Sequence, residues 1–117
     1  MKKILLAGIF LVLGTLALSA QNLPTIRIVN NTGYPIYGLF VSPASSDVWG
    51  EELLGEEILE DGQTITYRLP QPLNQENKYD IMLVDEDEDC YKKWNLTLTN
   101  NARIVFTMDD LDAIEDD

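Results

Sequence analysis

Beyond Leu23-Pro24 the chain runs as short stretches in which β-branched and aromatic residues alternate with polar ones, each closed by turn residues. "TIRIV", Thr25 to Val29, sets Ile26 and Ile28 against Arg27 and stops at "NNTG", whose asparagines and glycine tolerate the left-handed backbone of a tight turn. "YPIYGLFV", Tyr34 to Val41, is apolar on both faces. Pro35 cannot donate to a ladder and belongs at the start of that strand or on an edge, and Gly38 marks a candidate bulge. In "QTITYRL", Ile65, Tyr67 and Leu69 alternate with Thr64, Thr66 and Arg68, the period of a strand with one buried and one wet face. "YDIMLV" (Tyr79 to Val84), "YKKWNLTLT" (Tyr91 to Thr99) and "ARIVFTM" (Ala102 to Met108) complete the set. Strict alternation in "YKKWNLTLT" puts Trp94, Leu96 and Leu98 on one side, expected to be core, and Lys93, Asn95, Thr97 and Thr99 on the other.

Six strands joined mainly by short turns predict an all-β, antiparallel two-sheet sandwich of immunoglobulin- or transthyretin-like architecture, with a small closed β-barrel as the alternative. The cysteine pair flanking a tryptophan that marks true immunoglobulin domains is absent, so the likeness is one of architecture. The least strand-like part is Ser42 to Gly62. There Asp47 is placed to cap one short helical turn, Val48 to Leu54, with Glu51 and Glu52 near its positive end. Trp49, Leu53, Leu54, Ile58 and Leu59 are expected to fold this excursion back onto the core.

The ends change the domain count. "MKKILLAGIFLVLGTLALSA" carries two lysines, an apolar run from Ile4 to Leu18 and a Ser19-Ala20 exit, the three-part pattern of a secretory signal peptide. Residues 1–20 are therefore read as removed on export to a periplasmic or extracellular location, with a retained membrane anchor as the rival reading. Residues 21–108 form a single domain, and 109–117, "DDLDAIEDD", an acidic tail too charged to be a strand and expected to fray.

Charge narrows the partners. The chain has 20 acids against eight bases and a formal charge of -12; loss of Lys2 and Lys3 leaves six bases and a charge of -14. Such a surface repels phosphate backbones and anionic lipid, which argues against nucleic-acid binding and against membrane attachment after cleavage. It tolerates a cationic partner or a divalent metal. Cys90 is alone, so no internal disulfide forms, and its thiol is either buried or linked to another molecule. Without histidine the usual general base near neutral pH and the Ser/His/Asp and Cys/His nucleophile arrangements are missing. No glycine-rich phosphate loop, CxxC or HExxH occurs. Asp and Glu are plentiful, which keeps a small carboxylate-dependent hydrolase acting on envelope or extracellular material as the alternative function.

The candidate metal residues are Asp85, Asp87 and Asp89 in "LVDEDEDCYKKW", where five consecutive acids adjoin Cys90. Their spacing reproduces the opening D-x-D-x-D of an EF-hand, whose oxygens converge on calcium. The match ends there, because Cys90 holds the sixth position and Leu96 the twelfth, where glycine and a bidentate glutamate belong, and the flanks read as strands. The stretch is thus expected to be a hairpin tip, solvated and helped by Lys92 and Lys93, with calcium a possible ligand. Trp49, Glu51 and Glu52 are the candidate interaction surface. Trp49 has two readings, surface anchor or plug.

"IRIVNNTGYPIYGLFVSPASSDVWGEELLG", "LEDGQTITYRL" and "YDIMLVDEDEDCYKKWNLTL" together resemble a group of small exported bacterial β-sandwich proteins of unassigned activity. The shared pattern is N-x-T-G, S-P-x-x-S-x-x-W-G, a D-G turn and Y-D-I-x-L-V-D-x-D, and it spans Ile26 to Leu98. Similar sequences carry glycine where Glu88 stands. The resemblance implies fold and compartment and supplies no catalytic residues. The expected function is a non-enzymatic exported module, binding or structural, whose partner is a protein or envelope component.

Overall fold

The computed structural model describes residues 23–112; the predicted signal peptide, residues 1–20, and residues 113–117 of the acidic tail lie outside them. Six strands form two three-stranded sheets. In the first, β1 (Thr25–Asn31) is central, between β3 (Thr64–Arg68) and β6 (Ala102–Thr107). In the second, β4 (Lys78–Asp85) is central, between β2 (Ile36–Pro43) and β5 (Cys90–Thr97). This is the expected two-sheet sandwich, and the sheets do not close into a barrel. The inner faces meet through Ile26 and Ile28 of β1, Leu39 of β2, Tyr79, Ile81 and Leu83 of β4, Tyr91 of β5, and Ile104 and Phe106 of β6. Full burial of each such aliphatic side chain stabilises the fold by about 1.5–3 kcal/mol relative to exposure. The two central strands carry four of the aliphatic ones and Tyr79 besides, so the core is centred on β1 and β4.

Four details differ from the sequence reading. The first is that β1 pairs antiparallel with β3 but parallel with β6, Ile28 lying opposite Ile104. Parallel neighbours need a long crossover, and almost the whole domain intervenes between these two. The second is that the helical turn is a 3₁₀ turn at Met108–Asp110, not at Val48 to Leu54. Thr107 caps it, its hydroxyl accepting from the Asp109 N–H while the Asp110 carboxylate accepts from the Thr107 N–H. At 48–54 no helix forms, because Gly50 sits at φ +84° and Glu52 holds the backbone in another shape, described below. The third is that Asp110, Leu111 and Asp112 of the acidic tail are tied to β5. Lys93 Nζ pairs with Asp110 at 3.0 Å, Lys92 Nζ with Asp112 at 2.9 Å, and Leu111 bridges to Tyr91. The two lysines therefore neutralise the tail, not the hairpin tip.

A bulge explains a fourth difference. Between β4 and β5, Tyr79 faces Leu96 and Ile81 faces Lys93, so Asp80 alone opposes both Trp94 and Asn95. Asn95 takes φ +53° and donates its backbone N–H to Asp80 Oδ1 at 2.6 Å. One inserted residue reverses which side chains point inward. Tyr91 and Lys93 face in before the bulge and Leu96 and Leu98 after it, while Trp94 turns outward and is 50% exposed. Lys93 lies 5.3 Å above the Phe106 ring and closes the gap between β5 and β6.

Candidate binding face and acidic hairpin tip

The outer face of β2-β4-β5 carries apolar side chains of its own. Phe40 from β2 and Met82 from β4 are buried there beneath Trp49, with Val84 and Cys90 packed against them. Trp49 is 5% exposed, which makes it the plug and not the surface anchor. It meets Phe40 edge-on at 6.4 Å and Trp94 at 5.5 Å, so the bulge that expels Trp94 from the core also gives Trp49 a neighbour. Lys92 stands 5.6 Å above the Trp94 ring.

Glu52, read from sequence as an exposed contact residue, is a latch. One carboxylate oxygen, Oε2, accepts from the backbone N–H of Leu39 at 2.9 Å and of Leu54 at 2.6 Å, and Oε1 accepts from Gly55 at 2.8 Å. This ties the irregular 44–55 excursion to the edge of β2 and fixes where Trp49 lands. Glu51 is the one member of the predicted trio that is exposed. Its charge, after burial, is the second cause that raises the Tyr67 hydroxyl above its ordinary value.

The tip is built around Asp85. This carboxylate is 3% exposed; Oδ1 accepts from the N–H groups of Asp87 and Asp89 at 2.9 and 3.0 Å, and Oδ2 accepts from the Tyr91 hydroxyl at 2.8 Å. The backbone adds Glu88 N–H to Asp85 O and Asp85 N–H to Asp89 O. With Glu88 at φ +69° this is a three-residue hairpin loop whose last residue is left-handed. Burial, then the bond to Asp85, pushes the Tyr91 hydroxyl well above the tyrosine range. The structure does bring the predicted metal residues together: one oxygen each from Asp85, Asp87 and Asp89 lie within 4.8 Å of one another. Three such oxygens are about half of the six to eight that calcium takes. Two of the roughly four acceptor positions on Asp85 already serve amides and a third the tyrosine. Crowded charge at the tip is therefore relieved by N–H and O–H donors of the loop itself.

Between the tip and the Glu52 latch lies an open groove of about 560 Å³. Its floor is Gly38, Phe40, Met82, Val84 and Cys90, and its walls are Tyr37 and the acids Glu52, Asp85, Glu86 and Glu88. Gly38 keeps it deep, since a Cβ there would stand 3.4 Å from the Val84 Cβ. Burial raises the Cys90 thiol, and the acids Asp112, Asp89 and Asp85 add to that rise against the opposing pull of Lys92. Sequence reasoning missed the groove because its floor comes from strand positions that alternation assigns to a solvent face. Apolar residues on both faces of "YPIYGLFV" and "YDIMLV" were the signal for it. Comparison with models of known protein families, with curated proteins and with solved structures finds no match for the chain.

Proposed function

We propose that the chain is an exported, non-catalytic binding module that presents the outer face of β2-β4-β5 to a protein partner in its compartment. The observation that carries this reading is the groove: an open concavity on the outside of a sandwich whose core is already closed, where half-buried Val84 and Cys90 and exposed Tyr37 present apolar surface beside the buried Phe40 and Met82. Uncovered apolar concavities of this kind are where small domains meet partners. Export rests on the signal-peptide pattern of residues 1–20. Calcium at Asp85, Asp87 and Asp89 is an accessory to this reading and not its basis.

A hydrolase is the second reading, favoured by four carboxylates lining one groove. It asks for two of them with oxygens free to reach substrate, and those of Glu52 and Asp85 are held by backbone amides. Glu86 and Glu88 alone would have to serve.

A photo-reactive residue placed at Tyr37 on the groove wall, and separately at exposed Thr66 of β3 on the other sheet, tests the module in its own compartment. The expected result is a discrete adduct from position 37 that is absent from position 66. Equal labelling from both positions, or none from 37, would refute the binding face.

A further inference from the structure

We infer that the groove takes a cationic, apolar segment of a protein: an aromatic or aliphatic side chain seated on the floor, with lysine or arginine beside it facing Glu86 and Glu88. This inference rests on the binding-module reading above and adds the chemistry of the occupant. Its basis is the sorting of charge around the groove. Every ionised side chain on the wall is an acid, and no lysine or arginine lines it. Lys92, on β5 of the same sheet, does not line the groove and is paired with Asp112 and set over Trp94. Glu86 and Glu88 are exposed, and among the described residues no cation pairs with either. Glu52 on the opposite side of the groove and Asp85 at the base of the tip add their charges, each fixed by its amide partners. Acids of one sign around a low-dielectric floor focus a negative potential into the groove, which draws and orients a cation.

The floor sets the other half of the requirement. Phe40 and Met82 are each only 6% exposed and back the floor, while half-buried Val84 and Cys90 give it the apolar surface that an incoming side chain meets. Tyr37, 45% exposed on the wall, presents a ring face to which a lysine or arginine is attracted. The same charge argument removes two other occupants. A second copy of this chain would bring its own acids against these, and an anionic segment would meet the same repulsion.

Fluorescence anisotropy of labelled hexapeptides against the full chain tests this, using Lys-Leu-Phe-Lys-Leu-Lys as probe, Glu-Leu-Phe-Glu-Leu-Glu as the apolar anionic control and Lys-Ser-Ser-Lys-Ser-Lys as the polar cationic control. The cationic apolar probe is expected to saturate with at least about tenfold higher affinity than either control and to weaken as salt shortens the screening length. The double variant Glu86→Lys, Glu88→Lys alters exposed positions and should lower its affinity at least about tenfold while leaving the melting temperature in place. Binding of the anionic control as tightly as the probe would overturn the charge requirement yet leave the binding-module reading standing. Equal binding of the polar cationic control would overturn the floor requirement, reducing the effect to surface charge. Probe binding indifferent to the double variant would place the site elsewhere and overturn the inference. Absence of probe binding beside a position-specific adduct at residue 37 would overturn the occupant while sparing the face; absence of both would remove both.

Discussion

Replacing Asp85 by alanine removes one carboxylate and three hydrogen bonds at once, and the structure fixes what each loss costs. The amides of Asp87 and Asp89 lie in a surface loop, where water replaces the lost acceptor, so their share falls toward the low end of the about 1.5–3 kcal/mol that a bond to a charged group contributes. The Tyr91 hydroxyl has no such replacement. Tyr91 is 1% exposed, and its other neighbour is the sulfur of Met108 at 3.9 Å, a weak acceptor. Stranding it costs about 1–3 kcal/mol. Together the change should lower stability by about 2–4 kcal/mol and the melting temperature by roughly 10–20 °C, followed by circular dichroism on heating and by urea unfolding. Asp85→Asn keeps a carbonyl for the two amides and lets the tyrosine hydroxyl turn to accept, so its loss should be about half as large. A loss below about 1 kcal/mol for Asp85→Ala would show that the carboxylate does not organise the tip. The same melts with calcium or a chelator read the cation question. Calcium at ten times its Kd adds about 1.4 kcal/mol, and Asp85→Asn, Asp87→Asn and Asp89→Asn must then erase the gain. A wild-type melt indifferent to calcium removes the ion from the tip.

Other positions separate structural roles that composition cannot distinguish. Tyr91→Phe should destabilise by about 1–2 kcal/mol through the loss at Asp85, whereas Tyr79→Phe, whose buried hydroxyl has no hydrogen-bond partner, should be neutral or stabilising; urea unfolding of the two variants compares them directly. Trp49→Ala should cost about 3–5 kcal/mol and Trp94→Ala less than about 1, with the reverse order expected only if Trp94 were core. Glu88→Gly should raise stability by about 0.5–1 kcal/mol, since glycine adopts φ +69° without a Cβ clash, and a decrease in the midpoint would contradict the loop geometry. At alkaline pH, Tyr79 holds its proton up to about 12 because of burial first and then Glu76 and Tyr67, against an ordinary value of 10.0. The unfolded chain sheds that proton first, so this contribution is complete below pH 10, and stability should fall as pH rises from about 10 through about 12. Absorbance at 295 nm should therefore rise together with the loss of circular dichroism in that window.

The fold was legible because its signals are local. Alternation in "TIRIV", "TITYR" and "ARIVFT" identifies strands regardless of partner, and "NNTG" ends β1 by side-chain chemistry that needs no other segment. Asn30 shows how far that reaches: buried completely, it donates to the carbonyls of Tyr34 and Leu59 and accepts from the backbone and hydroxyl of Thr32. The link to Leu59, 29 residues on, is the part that the sequence does not display. The same limit governs the candidate site. D-x-D-x-D is visible as a pattern, but whether Asp85 meets a cation or three donors depends on Tyr91 facing inward from the next strand.

Trp94 sharpens the point, because one inserted residue moved it from the expected core to the surface. Period-two reasoning across "YKKWNLTL" holds only while each residue of β5 has one partner on β4, and Asp80 breaks that count by facing both Trp94 and Asn95. Sequence carries a hint in Asn95, a residue type that accepts positive φ and is depleted in strands, but the bulge also needs Asp80 on the facing strand, which the sequence does not place opposite it. Once the bulge turns Trp94 outward, the outer face of β2-β4-β5 has an aromatic wall, Trp49 can settle between it and Phe40, and the Glu52 latch can fix the excursion that delivers Trp49. The groove is bounded by that latch on one side and by the Asp85 loop on the other. The acids that stand out in the sequence are thus mostly the frame of a groove whose floor comes from β2, β4 and β5.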